Sequence, residues 1–153
     1  MPLFRNAIAL GAVQMPTPSD AGSLCAMRCA YRLVGDIAAA DTIELGYLPA
    51  DCVPVDIILD TDDLDTGATG TVSVGLFNAA KTDIDTAASG GAAWLTAQSI
   101  QTATAVRADA AGLRAASRCA PSSVDRPFGI RVVGETAAAA GAVIGVTLLY
   151  RPA

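Results

Sequence analysis

The chain is 153 residues long, 52% hydrophobic and only 16% charged, which is enough for one domain with its own core and too apolar for intrinsic disorder. Its formal net charge is −5, with one lysine (Lys81), nine scattered arginines and no histidine. These counts argue against a clustered cationic surface that could displace counterions from nucleic acid, and they remove the commonest general base and the commonest transition-metal ligand together.

Residues 1–22 read as an extended N-terminal arm. Pro2, Pro16 and Pro18 flank an apolar stretch, Ala7 to Val13. The stretch is at the short limit for a signal peptide, and no clean small-residue cleavage site follows it. Terminal segments become ordered only when something ties them down, so the arm is expected to dock on a neighbour or back on its own domain. Its large apolar side chains, Leu3, Phe4, Ile8 and Leu10, are the candidate interface residues.

Residues 23–153 read as one β-domain. From Cys25 to Leu33 the odd positions are Cys25, Met27, Cys29, Tyr31 and Leu33, while Arg28 and Arg32 fall on the even ones; this is the period of a half-buried strand. On a strand, Cys25 and Cys29 lie about 13 Å apart, too far for a disulfide or a shared metal. With Cys52 and Cys119 they are therefore read as free, buried thiols. Further strands are predicted at 42–46, 53–60, 70–78, 113–119, 127–134 and 141–150, with a short one near Trp94–Ile100. Irregular chain, or a short helix, is expected through the rest of 92–111. Seven or eight short strands punctuated by turns predict an all-β sandwich of jelly-roll or related Greek-key type. The longest weakly polar run, Ala137–Tyr150, falls short of the roughly 20 residues that a membrane helix needs.

Few residues suggest chemistry. The turn after the 53–60 strand carries Asp60, Asp62, Asp63 and Asp65, which has the flavour of a calcium loop. The EF-hand template fails, because Asp65 stands where glycine is required and Thr71 where glutamate is. Aspartates that accept backbone hydrogen bonds in a tight turn are the simpler reading. Glu44 and Asp56 could be proposed as a catalytic carboxylate pair, but acidic residues on alternating strands usually mark the solvent face. Trp94 reads as a core plug or an interface anchor, and Asp125-Arg126 as a turn with a local ion pair. No catalytic residue, cofactor or metal is predicted, so the chain is not read as an enzyme.

Asp41–Ala50, then Val53–Asp65, then Gly129–Val133 followed by Gly145–Tyr150 form a combination that resembles small structural proteins of tailed bacteriophages, above all head decoration (cement) proteins. The resemblance covers about residues 24–151. It implies a non-enzymatic virion protein on the capsid exterior, made in the host cytoplasm. It further implies a homotrimer that clamps the major capsid protein and uses a terminal arm, with no nucleic acid or membrane as partner. A tail or head–tail connector component is the alternative within structural proteins. A carbohydrate-binding β-sandwich module is the rival from another class, although five of the seven aromatics fall in strand-like segments.

Overall fold

A computed structural model describes residues 3–12, 23–64, 69–134 and 140–153. Among these residues, nine strands and one helix follow in chain order: β1 (Leu3–Arg5), β2 (Cys25–Arg32), β3 (Thr42–Leu48), β4 (Cys52–Thr61), β5 (Thr71–Leu76), β6 (Leu95–Ser99), β7 (Thr104–Arg107), α1 (Ala110–Arg118), β8 (Arg126–Val132) and β9 (Val143–Pro152). They form two sheets, ordered β1-β3-β8-β5-β6 and β2-β9-β4-β7. From β2 to β9 the chain crosses between the sheets at almost every connection. Only β5 and β6 are both consecutive and paired. This wiring is a jelly roll, as the strand pattern predicted.

Alternation along each strand decides what the sandwich encloses. Met27 and Cys29 from β2, Ile57 and Leu59 from β4, and Val146 and Leu148 from β9 point inward from one sheet. Ile43, Val72, Val74, Phe128 and Ile130 come from the other. The outer face of the β2-β9-β4-β7 sheet carries polar partners. Arg28 on β2 forms a bidentate pair with Asp60 on β4, its Nε lying 3.1 Å from Oδ1. The pair spans the intervening strand β9 over Gly145, where an added Cβ would sit 3.0 Å from Asp60 Oδ1 and 3.1 Å from Arg28 Nη2. Glycine is the side chain that leaves room for that bridge.

The predicted strand at 113–119 is a helix instead. Asp109 caps α1 by accepting the Gly112 N–H at 2.8 Å. Four of the helix's nine residues are alanine, the best helix former. Gly112, Ala115 and Ala116 are its buried side. Small residues are required there, because a Cβ on Gly112 would meet the Trp94 carbonyl oxygen at 1.8 Å. The stretch expected to be irregular also contains β7, which pairs with β4 from Ile58↔Arg107 to Thr61↔Thr104.

Candidate functional site

The N-terminal segment is built into the fold. β1 lies parallel to β3, with Leu3, Phe4 and Arg5 opposite Thr42, Ile43 and Glu44. The chain then turns: Asn6 Oδ1 accepts the Ala9 N–H at 2.8 Å, and the Leu10 N–H donates to the Asn6 carbonyl at 3.0 Å. Phe4 tilts against Tyr31 of β2 with ring centroids 5.7 Å apart. Ile8 packs over Gly46, where an added Cβ would crowd Cys29 Sγ at 3.0 Å. β2 is the edge of one sheet and β1, next to β3, the edge of the other, so with the Phe4 and Ile8 contacts residues 3–9 cover this side of the sandwich. Of the four residues singled out from sequence, Phe4 and Ile8 are half-buried against the core of their own domain. Leu3 is 37% and Leu10 62% exposed.

Sequence reasoning missed the carboxylate beneath this segment. Glu44, expected on the solvent face, is fully buried. Two cations from distant parts of the chain converge on it. Lys81 Nζ donates to Oε1 at 2.6 Å and also lies 3.3 Å from Tyr47 Oη. Arg5 Nε stands 2.6 Å from Oε2 without its N–H aligned on that oxygen, which makes the contact ionic rather than a hydrogen bond. Lys81 reaches inward from a turn in which its own backbone is left-handed, at φ +56°, a conformation uncommon for a side chain with a Cβ. Asp56 belongs to the other sheet and pairs with Arg107 at 2.7 Å. The two carboxylates therefore do not face each other across a cleft, and each is consumed by its own cations.

The remaining candidates resolve into structure. Asp62 Oδ2 accepts the Val143 N–H at 2.7 Å and so fastens the acidic turn to β9. Asp63 beside it is exposed, and Asp65 lies outside the described residues. Trp94 is buried in the core. Asp125 and Arg126 do not pair with each other: Asp125 accepts the Ala50 N–H at 2.8 Å, and Arg126 donates to the Cys52 carbonyl at 3.2 Å. Among the described residues, no group of three or more potential ligands could hold a metal ion, and no helix is long and apolar enough to cross a membrane.

All four cysteines are free thiols, three of them buried. Burial pushes the Cys29 thiol up to about 12 and raises Cys52 and Cys119 as well. Tyr150 is likewise pushed up to about 12 by burial. In the unfolded chain these thiols ionise near about 8.5. The neutral thiols therefore stabilise the fold fully below that pH, and the contribution fades as pH rises through their raised folded values, for Cys29 towards about 12. The melting temperature should fall steadily above about pH 9, and a Cys29→Ala variant should show a shallower decline. A flat profile from pH 8 to pH 11 would contradict the buried-thiol account.

No protein-family model matches the sequence, and no curated protein matches it. Two solved structures do. A chain in the capsid of Ralstonia phage GP4 is 33% identical, with 99% of each chain covered and a TM-score of 0.82. A chain in the capsid asymmetric unit of cyanophage Pam1 is 18% identical over 92% of this chain and 93% of that one, at a TM-score of 0.60, and shares the fold. With its jelly-roll wiring matched end to end at that identity, the chain belongs to a family of bacteriophage capsid structural proteins.

Proposed function

We propose that this protein is a capsid decoration protein that sits on the exterior of the phage head as a homotrimer and bridges major capsid subunits. The observation that carries this reading is the end-to-end match to a capsid chain. The described acidic residues considered as catalytic partners are tied up in ion pairs. A net charge of −5 suits a site away from packaged DNA. The contact is assigned to the exposed side of the N-terminal segment, where Leu3 and Leu10 are the large apolar side chains left uncovered.

Full burial of a leucine is worth at most about 1.5–3 kcal/mol; Leu10 at 62% exposure gains more of it than Leu3 at 37%, and the gain is multiplied over the copies in a trimer. A Leu3→Asp/Leu10→Asp variant should keep the wild-type melting temperature within a few degrees. Its occupancy on heads that lack the protein should fall at least about tenfold. Electron cryo-microscopy of mixtures of protein and heads reads the result. Wild-type occupancy by the variant would remove the segment from the interface. No binding of the wild-type protein to heads, with binding to tails or connectors, would overturn the decoration reading.

A further inference from the structure

We propose that the outer face of α1 is the docking site for the acidic turn of a second copy of this chain, so that subunits join head to tail through Arg114 and Arg118 on one and Asp63 on the next. The contact rests on the oligomeric reading above and supplies its interface.

Most of the arginines are already committed within the subunit. Arg5, Arg28, Arg107 and Arg131 face Glu44, Asp60, Asp56 and Asp83. Arg126 and Arg151 donate to the carbonyls of Cys52 and Pro152. Arg114 and Arg118 stand apart: both are exposed and neither side chain has an anionic partner among the described residues. They are one helical turn apart, a spacing at which like charges repel by a few tenths of a kcal/mol. An anion placed between them would relieve that repulsion. Arg32 also lacks an anionic partner among the described residues, but the other arginine of β2, Arg28, is already paired with Asp60.

The two arginines border a shallow cleft of about 70 Å³, walled by Gly90, Gly91 and Ala92 on one side and α1 on the other. Gly90 is held tightly against the helix, since an added Cβ would meet the Ala115 carbonyl oxygen at 1.9 Å. The Gly90 and Gly91 N–H groups are already given to the carbonyls of Ala87 and Thr86. The positive charge of the cleft therefore comes from the arginines, which suits a carboxylate side chain.

The same subunit offers that carboxylate at the far end of β4. Asp63 is exposed, and Asp62 beside it is fastened to the Val143 N–H. The turn follows the last residue of β4. The segment leading into α1 starts from the middle of that strand, where the Ala108 N–H donates to the Ile57 carbonyl, and the chain beyond the helix ends beside Cys52 through Arg126. The Ile57–Thr61 part of β4 thus lies between the start of that segment and the turn, roughly 13 Å of extended strand, and among the described residues no ion pair joins Asp63 to Arg114 or Arg118 within the subunit. Complementary groups at opposite ends of one element make a heterologous contact, which closes into a ring when the rotation allows. Because each copy carries −5 overall, copies repel at long range and a local cation pair is what brings them together.

The test uses the purified full chain in native mass spectrometry and light scattering, at low and high salt, with circular dichroism to check folding. The wild type should form an oligomer that weakens as salt rises. Arg114→Glu/Arg118→Glu and, separately, Asp63→Lys should each raise the dissociation constant at least about tenfold. The combined triple variant should reassociate with wild-type stoichiometry. Charge-reversed α1 variants that stay folded and keep the wild-type oligomer and salt dependence would overturn the contact, as would a wild-type protein that is monomeric throughout. Head binding is scored in parallel: self-association through α1 without binding to heads would sink the decoration reading and leave the contact standing.

Discussion

Replacing Trp94 with alanine should lower the unfolding free energy by about 3–5 kcal/mol, the usual range for emptying a large aromatic site in a core. Its side chain is fully buried, with the ring centroid 6.4 Å from that of Phe128. The indole N–H donates to the Ser89 carbonyl at 3.1 Å, and the hydroxyl of the same serine accepts the Leu76 N–H at 3.0 Å. The Trp94 N–H bonds to the Val74 carbonyl, and its own carbonyl lies under Gly112 of α1. One residue thus joins β5, the 85–93 connection and the helix. The cavity left by alanine would be walled by backbone that is already hydrogen-bonded and slow to collapse, which places the loss toward the upper part of the range. Trp94→Phe is the control: it keeps most of the ring volume and loses one buried hydrogen bond, worth about 1–1.5 kcal/mol plus some packing. Urea unfolding should rank wild type above Trp94→Phe above Trp94→Ala. A loss under about 1 kcal/mol for the alanine variant would mean that the site can close over itself and that Trp94 is not the plug.

The strands that bury one face were legible in the sequence, because a period of two is written directly into Cys25–Leu33 and repeated, with β-branched residues, in β4, β5 and β9. The register was not. Consecutive strands of this fold mostly lie in opposite sheets, so the neighbours of β9 are β2 and β4, and no local pattern names them. Local signals also conflict. The stretch 113–119 carries Leu113 and Cys119 at strand-like positions, but Asp109 as N-cap and the alanine run determine the outcome. β1 is three residues long and gains its order from β3, to which it contributes no pattern of its own. Glu44 was misplaced for a related reason. Thr42-Ile43-Glu44-Leu45 reads as alternation with Glu44 outward, which is correct for its sheet. What buries it is a second covering layer made by Arg5 and Lys81, from segments on either side in the sequence, and that layer is a tertiary fact. The interface assignment inherits this limit. Four apolar side chains in the arm look equivalent as letters, yet the fold takes Phe4 and Ile8 for itself and leaves Leu3 and Leu10.

Substituting Glu44 by alanine should cost about 3 kcal/mol and loosen the N-terminal segment before anything else. Breaking a buried ion pair by removing one partner typically costs 3–5 kcal/mol. The low end applies here, because the Arg5 and Lys81 side chains retain 38% and 21% exposure and can turn toward water. Arg5→Ala should cost less, since Lys81 still neutralises the carboxylate, and a double-mutant cycle between Arg5 and Glu44 should show a coupling of roughly 0.5–3 kcal/mol. The loss should be local in its first effect. β1 is held by three paired residues, the Phe4 and Ile8 contacts and this ionic contact, so hydrogen exchange at residues 4–10 should accelerate in Glu44→Ala while β4 and β9 keep their protection. Unchanged stability together with unchanged exchange at the N-terminus would show that Glu44 merely tolerates its cations. The same geometry determines how the capsid contact must be probed. Deleting residues 3–12 would unseal the sandwich over Cys29 and strip Glu44 of Arg5, so lost binding would report lost structure. Leu3 and Leu10 lie on the uncovered side of the segment, and substitutions there separate the interface from the fold that presents it.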